Sequence, residues 1–284
     1  MAKFTVYDAF QLTWKVRWKD QASARDQHTN GMIGVNFFGK TKPLAKIKSP
    51  DLIEFQQSLR FTEGRSGYLK AGTINKRMMA FGTMLSTSVR AGYLEVMPTM
   101  PQLLPTRSEK DRVITQAEEE LFIKFFQKAC HHEEADLFVV MLDTLARWSD
   151  IERCHCMNFN PARQEVTYTY RKNKLISTLP LTARANAALL RLTANRKPTD
   201  PIYDGSYWSF KAVFDDAKAW MGLADDKWLT PHCTRHTGAS RLAAAGESLP
   251  KIQGMGGWLS LSSVRRYMHF DTSALLSCRD VLQG

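Results

Sequence analysis

Cysteine is scarce in this sequence, and apolar runs are short. There are five cysteines in 284 residues, an odd and low number that favours free thiols in a reducing compartment over a disulfide framework. No run approaches the roughly 18 apolar residues of a membrane helix, and the N-terminus lacks the charged start and apolar core of a signal peptide. We therefore expect a cytoplasmic protein with no membrane partner.

Acidic residues are also in deficit. Asp and Glu number 28 against 39 Lys and Arg, which gives a formal net charge of +11 at pH 7. Such an excess favours a polyanionic partner, most commonly nucleic acid, although an ordinary basic soluble protein is the simpler alternative. Because 44% of the residues are hydrophobic and 11% aromatic, we expect a globular protein with a real core.

The sequence offers little that could hold a metal or a nucleotide. Cys130-His131-His132 and Cys154-His155-Cys156 could supply zinc ligands, but Cys-x-Cys is not the usual zinc spacing, and adjacent helical residues point to different faces. We favour partly buried thiols and surface histidines. A Walker-type phosphate loop and a convincing carboxylate cluster are both missing. We therefore expect neither a metal nor a cofactor.

Residues 1–98 are predicted to form a helical domain. Apolar residues recur at helical spacing from Thr5 to Lys15, a second helix should end at Phe37-Phe38-Gly39, and Ser49-Pro50-Asp51 should open a third, with Leu52, Ile53, Phe55 and Leu59 turned inward. Gly64 to Gly72 is expected to be a loop. Thr73 is then expected to cap a helix that runs to about Arg90.

The pattern changes after this domain. Pro98, Pro101 and Pro105 lie among polar residues, so 99–113 is predicted to be an extended linker. Thr115 and Glu118 form a capping-box pattern that opens a second domain, 114–284. Alternating residues predict strands at 165–171 and 175–181 with a turn between them. The predicted fold class is mainly α with a small antiparallel β-hairpin, in two domains.

Basic residues cluster twice in the first domain. One group occupies a single loop and the other surrounds a predicted helix start, where phosphate contacts are favoured. The alternative is a solvated face of a helical bundle. The candidate DNA-binding residues are Lys40, Lys42, Lys46, Lys48, Lys70, Asn75, Lys76 and Arg77.

The strongest chemical signal lies in the last sixty or so residues. His232 and Arg235 are three apart, hence neighbours on one helix face, and a helix rich in small residues follows at 238–245. Met255-Gly256-Gly257-Trp258 comes next, and Tyr267 stands nine residues after Trp258. A guanidinium suits a phosphate, and cations near a tyrosine hydroxyl lower its pKa and stabilise charge developing on phosphorus.

This order of residues resembles the signature of the tyrosine recombinases, and the Gly-Gly-Trp form is most similar to the Cre-type variant. Residues 5–98 resemble the family's core-binding domain, so the likeness spans nearly the whole chain and implies a two-domain recombinase. The first predicted helix begins almost at once, and we expect no arm-binding domain before it.

The resemblance implies roles for individual residues. Tyr267 would be the nucleophile, with His232 and Arg235 on the scissile phosphate. Thr144 to Ile151 resembles the motif of the first catalytic arginine, which would be Arg147. Asp150 stands where the family usually has Glu and would orient the cations. Leu145 replaces the usual Gly of that motif.

The resemblance also implies roles for Trp258, for a lysine of the predicted hairpin and for two histidines. Trp258 stands where many relatives have His, and its indole N–H can donate to a phosphate but cannot exchange a proton. The family's hairpin lysine, which protonates the leaving oxygen, matches Lys172, with Lys174 at the predicted turn as the competitor. His236 and His269 are expected to be supporting or structural residues.

The implied activity is site-specific recombination. Strands would be cut and rejoined through a 3′-phosphotyrosyl link and a four-way junction, on a double-stranded DNA site, in a bacterial or phage-infected cell. The expected assembly is a homotetramer joined by the C-terminal tail, although that tail could instead pack on its own domain; accessory proteins are left open. The rivals are a type IB topoisomerase-like enzyme and a non-catalytic DNA-binding relative.

Overall fold

A computed structural model describes residues 3–64, 67–106, 112–169 and 176–267. The chain divides into two compact units, Met1–Glu109 and Lys110–Gly284. Helices dominate, with small antiparallel sheets, which confirms the predicted fold class. In the part of the chain that is described, no helix is both long and apolar enough to cross a membrane.

The first unit is built mainly from helices. Thr5 and Asp8 cap the first helix reciprocally, and Gly39, with φ of 90°, ends the second at the predicted place. Its elements are α1 (Val6–Thr13), a π-helical turn (Trp14–Trp18), α2 (Ala24–Phe38), a 3₁₀ turn (Leu44–Lys46), α3 (Ser49–Arg60), β1 (Glu63–Gly64), β2 (Gly67–Tyr68) and α4 (Ala71–Arg90).

Three details of the first unit differ from expectation. The segment predicted to be a loop contains the short hairpin of β1 and β2. Helix α4 begins at Ala71 with Lys70 as its N-cap, so Thr73 already lies inside the helix. Ile53 is exposed, because it lies on the outer face of α3, whereas Leu52, Phe55 and Leu59 are buried.

Aromatic rings fill the core of the first unit. The ring of Phe81, from α4, lies 4.7 Å from that of Phe38 and 5.8 Å from that of Phe55, centroid to centroid. Helix α2 approaches this cluster through Gly34, where an added Cβ would lie 2.4 Å from Cδ2 of Phe81. The close packing of α2 on α4 therefore depends on the missing side chain.

Part of the predicted linker belongs to this unit. The Asn75 amide donates to the Leu104 carbonyl at 2.8 Å and accepts from the Leu104 N–H at 2.9 Å. Gln56 donates to the Gln102 carbonyl at 2.9 Å. The extended chain thus obtains, from the side chains of α3 and α4, hydrogen bonds that it cannot make within itself.

The second unit combines helices with a small sheet. The Thr115–Glu118 capping box is present as predicted. The elements are α5 (Gln116–Lys128), α6 (His132–Asp143), α7 (Trp148–Ile151), a 3₁₀ turn (Cys156–Asn158), β3 (Phe159–Asn160), β4 (Glu165–Tyr168), β5 (Ser177–Pro180), α8 (Ala183–Thr193), α9 (Tyr207–Trp220), α10 (Cys233–Ala244), α11 (Leu249–Gly256) and 3₁₀ turns at Leu261–Ser263 and Arg265–Tyr267.

The sheet has the order β3-β4-β5. Val166 pairs with Leu179 across β4 and β5, and both side chains face the core. Strand β3, which the sequence did not predict, pairs with β4 through Phe159 and Val166. The predicted turn between β4 and β5, at 173–174, lies outside the described residues.

Helix α10 is held firmly from both sides. An added Cβ at Gly238 would lie 2.4 Å from the Leu142 carbonyl oxygen, so α10 meets the end of α6 at backbone distance. On another side, Arg241 forms an ion pair with the buried carboxylate of Glu119 from α5. The Thr237 hydroxyl accepts from the Ile114 N–H at 2.8 Å. These contacts fix the helix that carries the site described next.

The contact between α2 and α4 can be tested with a single methyl group. We expect Gly34→Ala to lower the free energy of unfolding by about 1–3 kcal/mol, because the buried Phe81 ring must move. Gly72→Ala is the matched control, since its Cβ would meet only a methyl of Thr106 at 3.9 Å. The control should be neutral or slightly stabilising because Ala favours a helix. Equal urea midpoints for the two variants would contradict this packing.

Candidate active site

The candidate site residues in the described part of the second unit meet at the first half of α10 and at the end of α11. Arg147 precedes α7, Arg235 and His236 lie in α10, Trp258 follows α11, and Tyr267 ends the described chain. The contacts among them bring together segments that are far apart in sequence.

Arg235 is the buried centre of the cluster, with 2% of its surface exposed. Its Nη1 donates to the carbonyl oxygen of Leu145. The face of the Trp258 ring covers the guanidinium, whose central carbon lies 3.8 Å from the ring centroid. This cation–π contact stabilises a charge removed from water. Trp258 therefore shields and holds Arg235.

Leu145 supplies that carbonyl from an unusual conformation. Its φ is +55°, in the left-handed region that costs a non-glycine residue about 1–2 kcal/mol. A glycine could take this backbone conformation without that cost. The Leu145 side chain is buried with Ile252, Val264 and Tyr267. Burying a leucine contributes about 1.5–3 kcal/mol, which offsets the strain.

Arg147 is oriented by its own turn and by the end of α11. The Asp150 carboxylate accepts the Arg147 backbone N–H at 3.0 Å and lies 3.8 Å from its guanidinium. The guanidinium also donates to the carbonyls of Gly256 and Gly257, at 3.5 and 3.4 Å. With 18% of its side chain exposed, Arg147 remains open to an anion. Asp150 thus lies where it can orient this arginine.

The end of α11 also places Trp258. Gly257 takes a left-handed φ of 61°, the Trp258 N–H donates to the Gln253 carbonyl at 3.1 Å, and the Gln253 amide donates to the Trp258 carbonyl at 3.0 Å. A Cβ on Gly256 would lie 1.7 Å from the Trp258 ring. The pair of glycines is therefore required by the position of the indole.

Tyr267 is buried, with 3% of its surface exposed. Its hydroxyl lies 2.7 Å from Nδ1 of His236, and its ring centroid lies 5.6 Å from that of Trp258. The contact with His236 was not predicted. It places the candidate nucleophile one hydrogen bond from an imidazole and beside the aromatic cover of Arg235.

The two histidines at the start of α10 differ in environment. His232 immediately precedes the helix and is exposed, and its ring meets that of His236 edge to face at 4.7 Å. Burial, together with the positive charges of Arg266 and Arg235, lowers the pKa of His236 to about 4. The His236 imidazole is therefore neutral near pH 7.

The first group of predicted DNA-binding residues lies around the start of α3 and consists of Lys40, Lys42, Lys46 and Lys48. Lys42 forms an ion pair with Asp51 at 3.4 Å, and the Lys40 ammonium lies 5.5 Å from the ring centroid of Tyr7. Lys46 and Lys48 are exposed. Three of the four lysines are thus open to solvent, and Lys42 is partly neutralised by its carboxylate partner.

The second basic group lies along α4. Because the helix begins at Ala71, Asn75, Lys76 and Arg77 occupy its second turn rather than the predicted first turn. Lys70 and Lys76 are exposed, whereas burial lowers the pKa of the half-buried Arg77. The Asn75 amide, as described above, bonds with the backbone of Leu104.

Several predicted residues lie outside the described part of the chain. Among the residues that are described, Cys130, Cys154, Cys156 and Cys233 are free thiols, and no group of three His, Cys, Asp or Glu side chains is placed to hold a metal. The predictions outside the described residues are Lys172, Lys174, His269 and the C-terminal tail.

Comparison with known proteins shows the family of this chain. The phage integrase family model matches residues 112–273, more than half of the chain. No curated protein sequence matches the chain. This match, together with the fold, identifies a tyrosine site-specific recombinase, a class of enzyme that breaks and rejoins DNA strands. The chain belongs to the phage integrase family.

Solved structures share the fold at low sequence identity. The Tn1549 transposon integrase, in complex with transposon right end DNA, is 18% identical with a TM-score of 0.83, covering 99% of this chain and 100% of its own. A lambda integrase dimer bound to a COC′ core site is 12% identical with a TM-score of 0.72, covering 94% and 98%. XerH recombinase bound to its difH substrate is 15% identical with a TM-score of 0.68, covering 92% and 80%.

The strained turn at Leu145 leads us to expect an unusual order of stability between the Ala and Gly variants at this position. Leu145→Ala keeps the left-handed strain and loses the buried side chain, so we expect a loss of about 2–5 kcal/mol. Leu145→Gly loses the same contacts but removes the strain, and should be the more stable of the two by about 1 kcal/mol.

The matched control is Leu142, which is equally buried but lies inside α6. There Gly should be less stable than Ala by about 1 kcal/mol, the usual helical order. The readout is the urea midpoint of each variant. The same order at both positions would show that Leu145 is not strained.

Proposed function

We propose that Tyr267 is the nucleophile with which this recombinase cuts DNA. Its Oη attacks the scissile phosphorus, a 3′-phosphotyrosyl bond forms, and a free 5′-hydroxyl is released. The observation that carries the proposal is the convergence of Tyr267 with Arg235 and Trp258 on one side of α10. A poor nucleophile becomes effective when fixed cations lower its pKa and stabilise charge on the phosphate.

The cations have separate tasks in this proposal. Arg147 binds a non-bridging phosphate oxygen through the exposed part of its guanidinium, and Asp150 holds the arginine in place. Arg235 stabilises the transition state from below the indole of Trp258, and the exposed His232 bonds the phosphate from the helix start. These groups supply fixed charge, which a preorganised site provides without rearrangement at the moment of reaction.

The hairpin lysine completes the cycle. Lys172 protonates the departing 5′-oxygen, with Lys174 as the alternative. A 5′-hydroxyl from a partner strand then attacks the phosphotyrosine and restores the DNA backbone. Two such exchanges through a four-way junction need four copies of the enzyme, so the partners are a double-stranded recombination site and three further copies, joined through the C-terminal tail.

The basic residues of the first unit contact the DNA backbone in this scheme. Exposed ammonium groups neutralise phosphates and position the duplex without reading its sequence. The structure leaves most of them exposed along two elements, the loop before α3 and the start of α4. The proposed contacts are Lys40, Lys42, Lys46, Lys48, Lys70, Asn75, Lys76 and Arg77, together with Lys174 of the catalytic unit.

A suicide substrate tests the nucleophile. Binding sites are first selected from a random duplex library, and each is then nicked just 3′ of the cleavage point so that the released fragment diffuses away. We expect the wild type to form a covalent protein–DNA adduct, and Tyr267→Phe to form none.

The matched control is Tyr203→Phe, which removes another largely buried hydroxyl, one that donates to Glu134 at 2.9 Å. This variant should still form the adduct. Absence of an adduct with the wild type on every selected site would favour a non-catalytic DNA-binding protein. Adducts without junction products from intact sites would favour a topoisomerase-like enzyme.

A sulfur substitution separates the two lysines. Sulfur in place of the bridging 5′-oxygen makes a leaving group that needs no protonation. We expect Lys172→Ala to slow adduct formation on the oxygen substrate by about 10²–10⁴-fold, the usual contribution of a general acid, and to recover on the sulfur substrate. Lys174→Ala should form the adduct at nearly the wild-type rate on both substrates. The reverse pattern would assign the proton to Lys174.

A further inference from the structure

The hydrogen bond between His236 and Tyr267 has no counterpart in the roles described so far. Nδ1 of His236 lies 2.7 Å from the Tyr267 hydroxyl oxygen, within the distance of a good hydrogen bond. His236 immediately follows Arg235 in α10, and this helix is fixed by its contacts with α5 and α6. The imidazole therefore has a defined place beside the reacting atom.

The chemistry of the pair sets the direction of the hydrogen bond. Burial and the neighbouring arginines keep the His236 ring neutral near pH 7, because they lower its pKa to about 4. A tyrosine hydroxyl has an ordinary pKa near 10 and so carries its proton. A neutral imidazole has one acceptor nitrogen. Nδ1 therefore accepts the hydroxyl proton, and the ring hydrogen is assigned to Nε2.

The other groups in the cluster are less suited to this task. Arginine and tryptophan side chains donate hydrogen bonds and do not accept them, which applies to Arg235, Arg266 and Trp258. His232 is exposed, and its ring contacts that of His236 edge to face. Of these side chains, His236 is the one placed to accept a proton from Tyr267.

We propose that His236 is a catalytic residue, which orients the Tyr267 hydroxyl and removes its proton during attack on the phosphate. The inference rests on the proposed role of Tyr267 as the nucleophile. The sequence predicted a supporting or structural role for His236. The inference instead makes this histidine the group that accepts the first proton transferred in the reaction.

The protons and bonds balance over the cycle. In cleavage, the Tyr267 O–H bond breaks, an N–H bond forms at Nδ1, the Oη–P bond forms, and the P–O5′ bond breaks as the hairpin lysine protonates that oxygen. Rejoining reverses each step, and His236 returns the proton to the departing Tyr267 oxygen. No redox change or further reactant is needed.

Bound DNA makes this transfer easier than it is in the free protein. Among the described residues, the charged and titratable groups near His236 include His232 and Arg235 at the start of α10. Arg266 and Tyr267, in the 3₁₀ turn Arg265–Tyr267, also lie near it. The two arginines disfavour the imidazolium. A phosphodiester anion at the site offsets their charge, so the bound substrate raises the proton affinity of the ring. Proton acceptance is thereby coupled to the presence of DNA.

The test follows the rate of adduct formation on the nicked duplex as a function of pH. His236→Ala removes the acceptor. His236→Asn places an amide near the position of Nδ1 and can orient the hydroxyl, but cannot take its proton. We expect both variants to slow adduct formation, by about 100-fold or more for His236→Ala. Sulfur in place of the bridging 5′-oxygen should not restore the rate of either variant, because the step that these variants lose is activation of the nucleophile.

The pH profile distinguishes chemistry from structure. The wild-type rate should rise with pH to a plateau, as His236 loses its proton, and His236→Asn should lack this rise. His232→Asn should keep it, because the titrating ring is retained. His132→Asn makes the same change at an exposed histidine that starts α6, and should match the wild type in rate and profile.

Several results would overturn the inference. His236→Asn with the wild-type rate and pH profile would do so, as would recovery of its rate on the sulfur substrate. Thermal unfolding of each variant shows whether it folds. If His236→Ala does not fold, the result for His236→Asn decides the test. An adduct that is lost in Tyr267→Phe but unaffected in the His236 variants rejects this inference alone. No adduct with the wild type would reject it together with the proposed nucleophile.

Discussion

The buried guanidinium of Arg235 is the feature on which the site depends. A charge with 2% exposure is tolerated only where hydrogen bonds and favourable dipoles replace water. Here the Leu145 carbonyl and the face of Trp258 do so. Each imposes a further requirement: the carbonyl needs a left-handed turn at Leu145, and the indole needs two glycines before it. The backbone on both sides of α10 is shaped by this one side chain.

The same arrangement makes the site suitable for phosphate chemistry. The left-handed turn at Leu145 lies two residues before Arg147. The Arg147 guanidinium donates hydrogen bonds to the carbonyls of Gly256 and Gly257 at the end of α11. Arg235 and Arg147 are thus held by backbone that is itself packed against Tyr267 and Ile252. Rigid cations stabilise developing charge better than mobile ones. The backbone turns at Leu145 and at the end of α11 accordingly hold the candidate catalytic side chains in place.

Much of the fold could be predicted because its signals are local. The capping box at Thr115, the end of α2 at Gly39 and the pairing of β4 with β5 follow from periodicity and cap chemistry. Less local features were missed. The two-residue strand β3 is too short to show alternation, and the true start of α4 has no capping side chain. The hydrogen bonds between the Asn75 amide and the backbone of Leu104, 29 residues away, were likewise not predicted.

The sequence alone determined which chemical groups are available and in what order. The spacing of His232, Arg235, Trp258 and Tyr267 is a linear property, and it sufficed to indicate the family. Only the tertiary structure decided how those groups meet. The bond from Arg235 to Leu145 spans 90 residues, and that between His236 and Tyr267 spans 31. Contacts over such separations depend on helix packing, which no local pattern encodes.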